Sequence, residues 1–221
     1  MLIFGILLIL LIAVVAIVFL GAVSIAFKDV GFSPLTILLV LAGTLVGSFI
    51  NIPLVRLRSR SPIVREEYVS WFGLTYRIPR LEYGETTTMV AINVGGALIP
   101  TAVSVYLLAK SSVSIVLLSL LGVFVVSAVT HAAARPVKGV GVTTPAFIPP
   151  ITAAIVAFIL SPSHTTTIAY VGGVLGTLIG ADLSNLRKIP GLGAPLASIG
   201  GAGTFDGVFL SGIIAVLLAG L

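Results

Sequence analysis

The stretch "GGAGTFDGVFLSGIIAVLLAGL", residues 200–221, decides how this chain has to fold. It consists almost entirely of apolar and small residues, and as a helix it is long enough to cross the roughly 30 Å of hydrocarbon in a bilayer. Within it stands one carboxylate, Asp206. A second apolar stretch, "GTLIGADLSNL" at 176–186, contains Asp182 in the same way. The two stretches predict a membrane protein that holds two acidic side chains in or near the lipid.

Composition supports the membrane prediction. Of the 221 residues, 58% are hydrophobic and 9% are charged, whereas a soluble domain carries about 25% charged residues. Because so few polar side chains cannot cover a surface in water, we expect membrane lipids to surround the chain. The net charge of +5 is not accompanied by interleaved basic and aromatic residues. We therefore expect no nucleic-acid partner, and we assign the basic residues to loops beside the membrane.

Few residues are available for metal or covalent chemistry. The chain has no cysteine, which excludes disulfides, thiolate nucleophiles and cysteine-ligated metals. It has two histidines, which disfavours a histidine-based metal site. We therefore expect no metal ion and no cofactor.

Hydropathy predicts an all-α integral membrane fold with about seven transmembrane helices. The first stretch has no basic n-region and is longer than a signal-peptide core, so it is predicted to be a retained helix. The fifth is short and begins with two prolines, which predicts a tilted, broken or re-entrant helix. The stretches cover residues 2–27, 34–53, 88–109, 112–130, 148–161, 165–185 and 203–221.

Basic residues predict the orientation. With seven spans, ten of the twelve Lys and Arg residues fall in loops on the same side as the N-terminus, and Lys28 and Lys110 fall on the other side. Positive charge favours cytoplasmic loops. We therefore expect a multi-pass protein of the cell membrane, with the N-terminus in the cytoplasm and the C-terminus outside.

Segment 54–87 is the largest predicted loop, and it lies on the cytoplasmic side in this scheme. Within it, "YVSWFGLTYRI" at 68–78 predicts a short hairpin with Gly73 near its turn. One interpretation is an interfacial cap that holds Trp71 and Phe72 at the level of the lipid headgroups. The other is a lid or substrate-docking hairpin above a site.

Two pairs of segments predict an internal repeat. "GTLVGSFIN" at 43–51 resembles "GTLIGADLSN" at 176–185, and an Ile-Pro pair follows each. "AINVGGALIPTAVSVYLLA" at 91–109 shares Gly-Gly-Ala and Leu-Leu-Ala with "ASIGGAGTFDGVFLSGIIAVLLA" at 197–219. Spans two and three then correspond to spans six and seven, a 3+1+3 parallel arrangement of a kind found in transporters. Convergence of small residues on membrane helices is the alternative. The scheme has halves 1–109 and 148–221 and a linker helix 112–130.

The two membrane acids are the candidate catalytic residues. A charge in hydrocarbon costs about 2.5–3.5 kcal/mol, and no basic residue in the predicted spans pairs with either acid. Asp182 lies five residues before Arg187, near the cytoplasmic border, and Asp206 enters the next span from the same side. Two close carboxylates share a proton and supply one general base and one general acid, as aspartic proteolysis requires. The alternatives are an Asp206 in the first turn of a helix capped by Thr204, and an Asp182 at a solvated helix end.

A stripe of small residues bears on whether these acids meet. Gly172, Gly176 and Gly180 recur every four residues on span six, which predicts close helix packing. Asp182 lies about 200° around the helix from Gly180. A stripe that faced span seven would turn Asp182 away from Asp206. The pairing therefore requires the stripe to pack elsewhere, such as on span two.

The segment "GTFDGVFLSGIIAVLLA" resembles the helix of signal peptide peptidases and presenilins that carries their Gly-x-Gly-Asp motif. Gly203 matches the first glycine and Asp206 the catalytic aspartate. The resemblance implies a partner aspartate on the preceding helix, the position of Asp182. Phe205 departs from the pattern in place of the second glycine, and Ala181 departs from it in place of tyrosine. No Pro-Ala-Leu motif follows this helix. Over its whole length the chain resembles a family of small polytopic membrane proteins, the domain of unknown function 1614, which implies no mechanism.

Five polar residues are predicted near the same cytoplasmic level, with prolines close by. Broken helix ends around a polar pocket form ion and substrate sites in transporters, so these residues are predicted to bind a substrate or an ion. For the asparagines, the alternative is hydrogen bonding to backbone groups freed by the broken helices. The five are Asn51, Asn93, Thr143, Thr144 and Asn185.

Three functions stay open. The first is an intramembrane aspartic hydrolase that cleaves a transmembrane peptide with Asp182 and Asp206. The second is a transporter of a small solute or cation, with the same acids in a cavity between the two halves. The third is a membrane scaffold without chemistry. The order of the two acids on adjacent helices favours the hydrolase.

Overall fold

The structure is a computed structural model that describes residues 2–72, 74–139, 141–201 and 207–220. Helices make up most of the described residues. The α-helices are α1 (Leu2–Asp29), α2 (Pro34–Gly47), α3 (Ile99–Lys110), α4 (Val113–Ala133), α5 (Ile148–Leu160), α6 (Thr165–Thr177) and α7 (Gly207–Ala219). The π-helical segment Val94–Leu98 leads into α3, and a second, Leu178–Asp182, continues α6 into the 3-10 helix Leu183–Leu192.

Three helical segments among the described residues are long and apolar enough to cross a membrane. They are Ile9–Asp29, Val113–Ala133 and Thr165–Leu192, and four shorter apolar helices accompany them. Large apolar side chains on α1 are exposed, as at Ile17, which is 70% exposed. Such a helix is suited to lipid rather than water. The helices are consistent with an integral membrane protein, while the seven-span plan and its repeat stay predictions.

The prediction of an all-α fold is wrong, because the chain also forms two sheets. β1 (Asn51–Trp71) and β2 (Leu74–Asn93) pair antiparallel along their length into a ribbon. β5 (Leu196–Ile199) joins this ribbon in parallel beside β2. β3 (Arg135–Val137) and β4 (Gly141–Thr143) form a separate hairpin.

The ribbon follows from residues that alternate between two faces. At its base, Thr88 and Val90 are buried on the face that packs against the helices. Arg56 and Arg58 lie on the opposite, exposed face. This period of two is the pattern of a half-buried strand. Segment 54–87 is therefore a ribbon and not a loop, and the predicted hairpin at 68–78 is confirmed as its tip. Gly73 lies outside the described residues.

The predicted spans 34–53 and 88–109 are wrong at the ends that face each other. α2 ends at Gly47, and residues 51–53 and 88–93 are strand. The register Asn51↔Asn93 pairs these apolar ends with each other. Hydropathy cannot separate the two cases, because a short apolar run is equally suited to a buried strand and to a buried helix.

The glycine stripe of α6 packs on α4, and not on span two. A Cβ atom at Gly176 would lie 2.6 Å from the Cβ of Val126, and one at Gly180 would lie 2.4 Å from the carbonyl oxygen of Ser127. Only residues without a side chain allow this approach. A different glycine, Gly173, faces α7. The stripe therefore does not pack on α7. The predicted pairing of Asp182 with Asp206 required this arrangement.

The helices bring polar groups together at two opposite ends of the bundle. At one end, Thr166 donates to the carbonyl oxygen of Asp29 at 3.4 Å, and Thr165 donates to that of Ala219 at 3.3 Å. The ends of α1 and α7 thus meet the start of α6. At the other end lie the base of the ribbon, the π-helical segments and β5. Every described residue of the predicted site lies at this second end.

Candidate functional site

A cavity of about 410 Å³ opens at the second end of the bundle. Its walls come from the end of α6, from β4 and the residues after it, from β5 and from the start of α7. The lining residues are Gly141, Val142, Thr143, Thr144, Thr177, Ala181, Asp182, Ile189, Leu196, Ala197, Ser198, Ile199, Gly201, Gly207 and Val208. The predicted residues Asp182, Thr143 and Thr144 therefore come together here.

Asp182 lies where the helix of span six changes its geometry. It is the last residue of the π-helical segment Leu178–Asp182, directly before the 3-10 helix. Its side chain is half-buried, and Oδ2 accepts a hydrogen bond from the N–H of Gly200 at 2.7 Å. A π-helical turn inside an α-helix is often found at a functional site.

Gly200 holds that N–H in place because its backbone is left-handed. Its φ is +80°, and a Cβ atom there would lie 2.5 Å from the Cβ of Ala97. Both the conformation and the close approach favour glycine. The glycine-rich turn after β5 thus fixes the carboxylate of Asp182 against the wall of the cavity.

Hydroxyl groups supply the other polar surface of the cavity. Thr143 donates to the carbonyl oxygen of Arg135 at 3.2 Å across the β3–β4 hairpin. Thr177 donates to Ser211 at 2.9 Å. The Oγ1 atom of Thr144 is buried and has no hydrogen-bond partner among the described residues. A water molecule or a polar substrate group in the cavity would satisfy it.

Asn51 and Asn93 do not line the cavity, although they are connected to it. The Nδ2 atom of Asn93 donates to the carbonyl oxygen of Ser48 at 2.7 Å and to Oδ1 of Asn51 at 3.2 Å. Its Oδ1 atom accepts from the N–H of Gly96 at 2.7 Å, which caps the π-helical turn. Asn51 in turn accepts from Ser198, a cavity residue, at 2.6 Å. In this network both asparagines join α2, the ribbon and β5.

Asn185 also lies away from the cavity. Its Nδ2 atom donates to the carbonyl oxygens of Gly180 at 3.2 Å and Ala181 at 2.8 Å. Its Oδ1 atom accepts from Lys188 at 2.8 Å. The side chain thus satisfies carbonyl groups that the change from π-helix to 3-10 helix frees. These bonds to backbone carbonyls are the alternative to substrate or ion binding that the sequence offers for the asparagines.

Asp206, the second predicted catalytic acid, lies in residues 202–206, outside the described residues. Gly201 and Gly207, which precede and follow this segment in the chain, both line the cavity. Among the residues that are described, no group of three or more His, Cys, Asp or Glu side chains is placed to hold a metal ion.

Strand β5 is the part of the site that sequence reasoning missed. Residues 196–199 fall in the short connection between the predicted spans 165–185 and 203–221. In the structure all four residues of β5 line the cavity. The sequence signal for β5 was the repeated Gly-Gly-Ala motif. One copy follows β2 and the other follows β5, and these two strands pair with each other.

Three helices of membrane-spanning length, together with two sheets, define the class, a mostly helical protein consistent with insertion in a membrane. The chain belongs to the family described as "Protein of unknown function (DUF1614)", whose model matches residues 45–218. No curated protein and no solved structure matches it. The local resemblance to presenilins and signal peptide peptidases therefore stays a prediction.

Proposed function

We propose that this chain is an intramembrane aspartic hydrolase that cleaves a peptide bond close to the cytoplasmic face. The observation that carries the proposal is the position of the Asp182 carboxylate in a cavity that a strand edge borders. A carboxylate supplies acid–base chemistry, and a strand edge supplies a place for an extended peptide.

The outer edge of β5 is suited to a peptide backbone. On its inner side, the N–H of Met89 donates to the carbonyl oxygen of Pro195 at 3.0 Å. In a parallel ladder the next contact with β2 falls two residues further on, at Ala197. Leu196 therefore directs its N–H and C=O outward. No other described strand pairs with this edge, and an edge of this kind takes up an extended chain.

The proposed chemistry uses two carboxylates. One takes a proton from a water molecule, which attacks the carbonyl carbon of the peptide, and the other protonates the carbonyl oxygen. The tetrahedral intermediate then collapses as the amine leaves with a proton. Asp182 supplies one carboxylate. We assign the other to Asp206, because Gly207, the next residue in the chain, lines the cavity.

The proposed topology has seven spans, with the site at the cytoplasmic end. The direction of the chain supports it, since the ends of α1 and α7 lie together at the opposite end of the bundle. The pairing of β2 with β5 supports the 3+1+3 repeat. Each strand runs in the same direction into two glycines and then a helix, as parallel halves require.

A transporter is the second candidate, and the oxygen-rich wall of the cavity favours it. Asp182 and four hydroxyl residues, Thr143, Thr144, Thr177 and Ser198, are among the residues that line the space, and a hard cation prefers oxygen ligands. The strand edge has no role in this alternative, which is why we favour the hydrolase.

The test is cleavage of a library of apolar peptides by the purified protein in liposomes, with new peptide ends detected by mass spectrometry. We expect cleavage by the wild type and none by Asp182→Asn or Asp206→Asn. Glu66→Gln is the control, because Glu66 is an exposed carboxylate paired with Arg77 on the ribbon. Cleavage that persists in Asp182→Asn would rule out the hydrolase proposal. Uptake of ²²Na⁺ that Asp182→Asn abolishes, without cleavage, supports the transporter instead.

A further inference from the structure

A second polar cavity lies on the exposed face of the ribbon, beside Pro195, the residue that precedes β5. Its volume is about 390 Å³. It shares no lining residue with the cavity that contains Asp182. The residues that line it are Arg56, Arg58, Thr87, Met89 and Pro195.

The register of the ribbon places both arginines in this cavity. Arg56 stands opposite Met89, and Arg58 stands opposite Thr87. Residues directly opposite each other project from the same face of an antiparallel pair. Residues two apart on one strand also share a face and lie about 7 Å apart. The two guanidinium groups and the hydroxyl of Thr87 are thus carried on one surface.

Neither arginine is neutralised within the described part of the chain. Arg56 and Arg58 form no ion pair and no side-chain hydrogen bond with a described residue. Further out on the same ribbon, Arg77 and Arg80 are each paired with a glutamate, Arg80 to Glu67 at 2.9 Å. The next acidic residue on the face of the cavity, Glu85, stands opposite Arg60. The base of the ribbon therefore carries two positive charges that attract an anion.

We infer that Arg56, Arg58 and Thr87 bind a phosphate group. Each guanidinium offers a planar pair of N–H donors that matches two oxygens of a phosphate, and the hydroxyl of Thr87 adds one donor. A phosphate has oxygens enough for both arginines at once. This inference does not depend on the hydrolase proposal, because it uses none of the residues around Asp182.

The phosphate comes from a lipid headgroup or from a soluble phosphate compound. The base of the ribbon starts four residues after the end of α2 at Gly47, close to where the chain leaves its apolar helices. On the proposed cytoplasmic side, anionic headgroups attract basic segments beside the membrane. The experiment therefore has one arm for each source.

Binding would be measured on the full-length protein in a zwitterionic detergent. One arm titrates phosphatidylglycerol and counts bound lipid by native mass spectrometry. The other compares inorganic phosphate with chloride at equal ionic strength, by thermal unfolding. The variant is Arg56→Gln with Arg58→Gln. The matched control is Arg77→Gln with Arg80→Gln, which removes the same charge from the same ribbon.

We expect the Arg56/Arg58 variant to bind about tenfold more weakly or worse in at least one arm, and the control to bind as the wild type does. The arm in which affinity is lost identifies the source of the phosphate. Equal affinity of the variant and the wild type in both arms, or an equal loss in the control, overturns the inference. A lysine pair, Arg56→Lys with Arg58→Lys, keeps the charge and loses the paired donors. Wild-type affinity in this lysine pair would also overturn a guanidinium site.

Discussion

Asn93 is a fully buried amide whose hydrogen bonds hold α2, β1 and the π-helical turn before α3 together. A polar group at this depth is stable only while its partners are present. The same bonds align β2, and β2 in turn positions β5 beside the cavity. A residue that does not touch the cavity thus determines its shape.

Asn93→Leu should destabilise the protein by about 2–4 kcal/mol, because it leaves the N–H of Gly96 and the carbonyl oxygen of Ser48 buried without their partner. Thermal unfolding in detergent measures the loss. Thr75→Leu, an exposed change near the tip of the ribbon, should leave the unfolding temperature within about a degree. Equal stability of the Asn93 variant and the wild type would contradict the role of the network.

Gly200→Ala should destabilise the protein by more than an alanine in a left-handed conformation usually does. The φ of +80° alone costs about 1 kcal/mol, and the added Cβ would also meet Ala97 at 2.5 Å. Gly193→Ala isolates the first effect, since Gly193 has a φ of +71° and nothing within 4 Å of an added Cβ. We expect the Gly200 variant to unfold at a clearly lower temperature than the Gly193 variant. Matching temperatures would show that the turn relaxes around the extra atom.

At the scale of elements, substitutions in β5 can distinguish a loss of peptide binding at its outer edge from a loss of stability. Leu196→Pro removes an outward N–H and keeps the bonds to β2, and proline is tolerated on such an edge. Ala197→Pro removes an N–H that faces β2 and should lower the unfolding temperature. We expect Leu196→Pro to keep the stability of the wild type and to lower kcat/KM for peptide cleavage about tenfold, mostly through KM. Unchanged cleavage kinetics in Leu196→Pro would rule out a peptide on this edge.

How far the sequence predicts these elements depends on the kind of pattern that marks them. Apolar stretches locate the helices well, because lipid imposes length and hydropathy together. They fail at residues 51–53 and 88–93, where the partner strand lies about 40 residues away and no local pattern reveals the pairing. Three of the residues singled out in the sequence, Asp182, Thr143 and Thr144, line one cavity, and their binding or catalytic roles stay predictions. The sequence does not reveal that Asn93 and Asn185 hydrogen-bond to backbone groups, since that depends on the π and 3-10 turns beside them. Nor does it reveal that Asn51 accepts from the side chains of Asn93 and Ser198.

At the scale of the whole molecule, the two ends of the bundle should face opposite sides of the membrane. The chain has no cysteine of its own, so a single introduced cysteine reports its side. We expect Ser112→Cys and Ser163→Cys to react with a membrane-impermeant maleimide on intact cells. Ser70→Cys and Lys138→Cys should react only after lysis. The opposite pattern would invert the proposed orientation, and labelling of all four on intact cells would contradict a sealed seven-span plan.

The pairing of β2 with β5 also determines how late in synthesis the cavity can form. Thr88 donates to the carbonyl oxygen of Ala194 across 106 residues of sequence, so this wall of the cavity cannot form until β5 has been synthesised. The helices α1 to α6 and both strands of the ribbon precede β5 in the chain and are synthesised before it. A nascent chain that ends before residue 194 therefore lacks this wall of the cavity.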